Sequence, residues 1–205
     1  MSIVYANFKK DRHPISYINE IAGDIKATLN YSKYYYFPQS IEDNREVFSI
    51  DKSFITQSWF EEQLFSLDKY QELSLNSLLI YKNRKYHIPM IDFSIKRNEK
   101  SSLEMISELA WYWSMDFIIF SSGRSYHAYG TRIIKNSEWI KFMGSLLLLN
   151  IQGKTNNLID TRWVGHRILS GYSSLRWSNN TSQYKQYPIY IGRISEKLNF
   201  EHVYQ

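Results

Sequence analysis

From Leu73 to Leu149 the chain alternates short apolar runs of strand length with segments of helical period, and this alternation most narrows the folds open to it. Leu75 to Tyr81, the polar Lys82-Asn83-Arg84-Lys85 and Tyr86 to Ile95 predict two strands joined by a tight turn. Ser101 with Glu104 three residues on has the form of a capping box. Leu103, Ile106, Leu109, Ala110 and Trp113 then recur at helical spacing, which predicts a helix over 102–113. Asp116 to Phe120, the turn Ser121-Ser-Gly-Arg-Ser125 and Tyr126 to Tyr129 predict a second hairpin, bent at Gly123. Asn136 is placed to cap a helix over 137–149, and 156–160, 173–177 and 187–194 are strand candidates. Strands and helices alternate, so the expected class is α/β (α+β), a mixed β-sheet flanked by helices.

With 205 residues and no repeat, linker or low-complexity tract, the expectation is a single domain over 1–205. Its first 75 or so residues read as a mixed part: a helix over 15–29, an aromatic cluster at Tyr34 to Phe37 and a helix over 58–71. They offer no identifiable chemistry, and the motif-bearing core runs from 75 to 195. The absence of cysteine excludes disulfide frameworks, thiolate zinc sites, iron–sulfur clusters and cysteine nucleophiles. Neither a signal peptide nor a membrane span is expected, since apolar runs such as Leu146 to Leu149 are far too short; the expected setting is soluble and cytoplasmic. A formal charge of +5, spread along the chain, suits a surface that meets phosphate.

Three places carry candidate chemistry. In Tyr86-His-Ile-Pro-Met-Ile-Asp92-Phe-Ser94 a lone carboxylate ends an apolar strand, where it is costly to keep ionised without a cation or hydrogen-bond donors. Ser121-Ser-Gly-Arg-Ser-Tyr-His127 is the second. The third is Leu158-Ile-Asp160-Thr-Arg162, followed by Gly165-His-Arg167, then Leu175-Arg176-Trp-Ser178-Asn179, with Lys185 beyond.

This order resembles the archaeo-eukaryotic primase (primase-polymerase) superfamily, in particular small standalone bacterial primase-like proteins. Its first motif is an apolar strand ending in Asp-x-Asp, its second a small residue followed by any residue and His, and its third an apolar strand ending in an acid, with basic residues after it. Asp92, then Ser125-Tyr126-His127, then Asp160 fill those places, and Ser121-Ser-Gly-Arg-Ser-Tyr-His is the most specific match. The resemblance covers about 75–195. It implies a primase-like catalytic core with an RRM-like element, and a nucleotidyltransferase adding nucleotides to a DNA or RNA template from nucleoside triphosphates with Mg²⁺ or Mn²⁺. It implies Asp92, Asp160 and His127 as catalytic, and Asp92 and Asp160, with Ser94, at the metal. Ser122, Arg124, Ser125, His127, Arg162, Arg167, Arg176, Ser178, Asn179 and Lys185 would meet nucleotide and phosphate, and a helicase or other replication protein would be a partner. The departure is Ser94 where the family has its second Asp, which weakens a two-metal site. The alternative reading is therefore a catalytically inactive nucleotide- or nucleic-acid-binding module acting with a replication, repair or defence partner; a metal-dependent nuclease is a third.

Each residue also has a plain structural role open to it: Asp92 capping a turn or pairing with Lys96 or Arg97, Asp160 pairing with Arg162, His127 as a structural histidine, Arg176 as a solvated charge. Gly153-Lys154-Thr155 lacks the Gly and the preceding strand of a phosphate-binding loop. His166 has no second histidine at zinc-ligand spacing. Among the aromatics, Tyr126, Tyr129 and Trp177 are the candidates for stacking on bases.

Overall fold

The computed structural model describes residues 10–95, 100–153, 156–184 and 186–195. In chain order the elements are α1 (Ile18–Ala22), β1 (Thr28–Tyr35), β2 (Arg45–Asp51), α2 (Gln57–Phe65), β3 (Gln71–Tyr81), β4 (Arg84–His87), β5 (Met90–Asp92), α3 (Lys100–Trp113), β6 (Phe117–Ser121), β7 (Tyr126–Gly130), β8 (Ile134–Lys135), α4 (Asn136–Leu147), α5 (Thr161–Ser170), β9 (Ser174–Arg176) and β10 (Ile189–Ile194). One sheet runs β2-β1-β3-β4-β8, with β9 also paired to β3; a second runs β10-β6-β7-β5. Every ladder between these strands is antiparallel, so the architecture is the α+β form of the expected class.

The β3–β4 turn falls on Lys82 and Asn83, both at positive φ (47° and 58°), the geometry that matches the twist of a two-residue hairpin. The strand expected from Tyr86 to Ile95 is broken in two. Pro89 has no amide hydrogen for a ladder, and at this point the chain leaves the first sheet as β4 and joins the second as β5. The crossover is tight: the Gly130 amide donates to Pro89 O at 2.9 Å, and a Cβ on Gly130 would meet Met115 Sδ at 2.5 Å and Pro89 Cβ at 2.9 Å.

The N-terminal part departs furthest from expectation. The helix expected over 15–29 is a 3₁₀ turn at Pro14–Tyr17 followed by α1, which stops at Gly23 (φ 74°); Leu29 already lies in β1. The helix expected over 58–71 is α2, capped by the Thr56 hydroxyl at Trp59 N, and Gln71 opens β3. Helix α3 begins at Lys100, and the Ser101 side chain, hence the expected capping box, lies outside the described residues. Helix α4 is capped one residue earlier than expected. Lys135 is its N-cap, with its amide donating to Glu138 Oε2 at 2.8 Å, while Asn136 Oδ1 meets His87 Nε2 at 3.0 Å.

The second sheet separates two apolar cores, because alternate side chains of β6 point to opposite faces. Ile118 and Phe120 face Leu73, Leu75, Leu79, Phe60 and Trp177 of the first core; Phe117 and Ile119 face Leu109, Phe142 and Met143 from α3 and α4. The candidate site residues gather where the ends of β1, β5 and β9 and the β6–β7 turn meet the start of α5.

Candidate functional site

Strand β5 sets the site. Its last residue, Asp92, lies opposite His127 of β7 in the ladder. The next residue, Phe93, makes an isolated antiparallel bridge to Ile159, flanked by Ser94 N to Leu158 O (3.0 Å) and Asp160 N to Asp92 O (3.1 Å). That bridge is all that forms of the strand expected at 156–160, because Asp160 immediately becomes the N-cap of α5, its Oδ1 accepting from Trp163 N at 2.9 Å. Two carboxylates about 70 residues apart in sequence are thereby held side by side on adjoining backbone.

Both face an open cleft of about 780 Å³ that is also lined by Ser94, Ser122, Arg124, Ser125, His127, Arg162, Arg167 and Arg176. Burial, together with the Asp160 charge beside it, raises the Asp92 pKa well above the ordinary carboxylate range, against a smaller opposing pull from Arg176. Its Oδ1 lies 3.8 Å from His127 Nε2. His127 is itself buried, and burial, with Arg176 close by, lowers its pKa to about 3, so the ring is neutral. Its Nδ1 has no hydrogen-bond partner.

The β6–β7 turn brings the cations' supporting frame. Ser122 N donates to Ser125 O at 2.9 Å, the two hydroxyls lie 3.2 Å apart, and Arg124 stands exposed at the tip. Gly123 is required there: its φ is 94°, and a Cβ would meet Gln186 Cγ at 2.8 Å. Arg176, expected to meet phosphate, lines the cleft and is buried, which rules out the alternative of a solvated charge. It donates to the carbonyls of Ser178, Ser122 (2.8 Å) and Gln186 (3.3 Å), it lies over the Tyr184 ring at 4.0 Å, and its Nε has no partner. No carboxylate pairs with it among the described residues, so its charge adds a positive field to the cleft floor.

The opposite wall comes from the N-terminal part, which the sequence reading had left without chemistry. Asp43 accepts from Arg45 Nε at 2.9 and 3.0 Å and pairs with Arg167 Nη2; Arg45 Nη1 also donates to Ser74 and Ser174 hydroxyls at 3.0 and 3.1 Å. Burial lowers the Arg167 pKa to about 10 and that of Arg45 below its usual range; both remain cations. Arg167 keeps two unpartnered donors, Nε and Nη1. Arg162 ties this wall to α5 by donating to Ser40 O. Arg162, Trp163, His166 and Arg167 all line the cleft, as residues spaced four apart on one helix face do.

Two predicted phosphate ligands are not in this assembly. Ser178 is fully buried, accepting from Leu73 N at 2.7 Å and donating to Glu72, which also accepts from Asn180 N and Thr181 N: it holds a loop and is closed to a ligand. Asn179 is half-buried outside the cleft lining, and Lys185 lies outside the described residues. Of the rings singled out for stacking, Tyr129 and Trp177 are core, joined by Trp177 Nε1 to Tyr129 OH at 3.0 Å, and Tyr126 lines a separate small apolar cavity with Phe93 and Ile106. Sequence reasoning missed Asp43, Arg45, Tyr34 and Tyr184; the Tyr34–Phe37 cluster was the visible signal.

The donor set fits one hard divalent cation better than two. Asp92 and Asp160 can contribute carboxylate oxygens, and a cation would offset the burial and the Asp160 repulsion that together raise the Asp92 pKa. Ser94 donates its hydroxyl to Asn157 O, and no group of three His, Cys, Asp or Glu ligands occurs among the described residues.

The family model for archaeo-eukaryotic primase 1D-like proteins matches residues 51–189, which contain Asp92, His127, Asp160 and Arg176. The chain belongs to this family. It is thus a member of the primase-like nucleotidyltransferase superfamily, whose substrates are nucleotides and nucleic acid. No curated protein and no solved structure matches it. Among the described residues no helix is long and apolar enough to cross a membrane. The match starts six residues after Arg45, so Asp43 and Arg45 lie outside the residues that the family model covers.

Proposed function

We propose that the protein is a primase-polymerase-type nucleotidyltransferase that joins nucleotides to a nucleic-acid strand in this cleft. The observation that carries the reading is the Asp92–Asp160 pair, fixed side by side by the Asp160 N to Asp92 O bond and faced by a wall of guanidinium groups. In the reaction the strand's 3′ oxygen bonds to the α-phosphorus as the bond to pyrophosphate breaks, and the hydroxyl proton passes to solvent. Asp92 and Asp160 would hold Mg²⁺ or Mn²⁺, which supplies charge neutralisation at the reacting phosphate. Arg167 and Arg176 line the cleft with their guanidinium groups fixed by Asp43 and by backbone carbonyls, and so offer preorganised positive charge to the anionic oxygens of a triphosphate. His127, neutral, lines the cleft beside Asp92 and would meet a phosphate oxygen without bringing a net charge. Ser122 and Ser125 hydroxyls and exposed Arg124 add contacts at the turn, and Arg162 adds one at the mouth.

A second reading, a module that binds nucleotide and strand without catalysis, is favoured by one observation: Ser94 stands where a further acid would complete the metal ligands, and its hydroxyl is engaged with Asn157 O. Primer extension with Mg²⁺ and with Mn²⁺, wild type beside Ser94→Asp, separates the two. Extension by wild type is the expected result. No extension by wild type, with extension appearing in Ser94→Asp, identifies the binding module instead.

A further inference from the structure

With Tyr129 and Trp177 in the core, the exposed rings of the cleft are elsewhere. At the end of β1, Phe37 is 68% exposed and Tyr36 44%, and both line the cleft. They do not stand alone. The Tyr36 ring lies 6.3 Å from that of Tyr184, Tyr184 and Tyr34 share a hydrogen bond, and each of those two carries a guanidinium over its face, Arg176 at 4.0 Å and Arg45 at 3.8 Å. A row of rings therefore runs from the cleft mouth to the buried cations. Arg162 joins the same segment to α5 through Ser40 O, and exposed Arg124 stands on the β6–β7 turn across the cleft.

Open aromatic faces at the rim of a guanidinium-lined groove have a specific chemical complement. A paired duplex hides its base faces, whereas an unpaired strand offers a flat base and a phosphate at every nucleotide. We propose that Tyr36 and Phe37 form a stacking platform for an unpaired base of a single-stranded nucleic acid entering the cleft. The platform rests on the nucleic-acid reading above and is built from residues 34–45, which lie outside the residues that the family model matches.

The test is fluorescence anisotropy with two labelled oligonucleotides of equal length and charge, oligo(dT) and an abasic backbone. Wild type should bind oligo(dT) more tightly than the abasic strand. Phe37→Ala should lose roughly 5- to 150-fold of oligo(dT) affinity, with the abasic affinity and the salt slope unchanged, and Phe37→Trp should restore it. Because Phe37 is mostly exposed, its truncation leaves the core intact, and an unchanged melting temperature checks this. Equal binding of both oligonucleotides by wild type would overturn the platform while leaving nucleic-acid binding in place. Binding of neither would overturn the underlying reading as well. If Phe37→Ala loses affinity for a free nucleoside triphosphate and not for oligo(dT), the ring serves the incoming nucleotide and the proposal is wrong.

Discussion

Replacing Asp43 by Asn tests the wall that the N-terminal part contributes. The carboxylate compensates two guanidinium groups whose side chains are 10% (Arg45) and 2% (Arg167) exposed, and it is itself only 17% exposed. Removing one partner of a buried ion pair costs about 3–5 kcal/mol, since a charge is left uncompensated in a poorly solvated place. Arg45 keeps two serine hydroxyls, so the lower end, about 3 kcal/mol, applies. For a domain of this size each kcal/mol moves the Tm by about 2–4 °C, giving an expected fall of roughly 6–12 °C in differential scanning fluorimetry. The same substitution frees the guanidinium groups for a ligand anion. Tripolyphosphate should therefore bind Asp43→Asn more tightly: at a hundredfold excess over the variant's dissociation constant it stabilises the variant by about 2.7 kcal/mol, and the same concentration stabilises wild type by less. A Tm within 2 °C of wild type would refute the buried-pair argument. A normal fall with no larger gain from tripolyphosphate would refute the assignment of these guanidinium groups to an anion.

Two pH-linked outcomes follow from the buried titrating groups. His13, locked neutral between Ile15 N and Trp177 O, and His127 have their pKa lowered to about 3, chiefly by burial, while in the unfolded chain they protonate near 6.5. Stability is therefore level above pH 6.5 and falls as pH drops from there towards 3; at pH 5 each costs about 2 kcal/mol, readable as a lower urea midpoint. In an Asp92→Asn background, which removes the opposing carboxylate, a flat midpoint from pH 7 to 5 would contradict their burial. Asp92 acts in the opposite sense: its folded pKa is raised, so its contribution is lost as pH rises through its ordinary value towards the raised one. Without divalent cation, Asp92→Asn should melt higher than wild type at pH 7.5 and alike near pH 4; a lower Tm at pH 7.5 would show the carboxylate to be stabilising.

The motif residues were legible because each is a polar group at the end of an apolar strand or in a glycine-bent turn, where local chemistry names its own exception. The β6–β7 hairpin around Gly123 is of this kind, as is the β3–β4 turn at Lys82-Asn83. Two sorts of feature were not legible. One is a switch of sheet within an apolar run: the residues from Tyr86 to Ile95 read as one strand, and only the tertiary arrangement divides them at Pro89. The other is long-range charge pairing. Asp43 meets Arg167 across more than 120 residues, and no period or spacing around Asp43, in the loop before β2, announces that contact. Burial on both faces misled in the same way at β9, where Leu175, Arg176 and Trp177 are all covered although alternation predicts one exposed neighbour.

The account turns on Asp92 and Asp160 acting as one site, and the most direct measurement is incorporation of labelled nucleotide into a primed template by wild type, Asp92→Asn and Asp160→Asn, each with its melting curve. The expected result is incorporation by wild type and its loss in both variants while both stay folded. Incorporation that survives in either folded variant would contradict the two-carboxylate site.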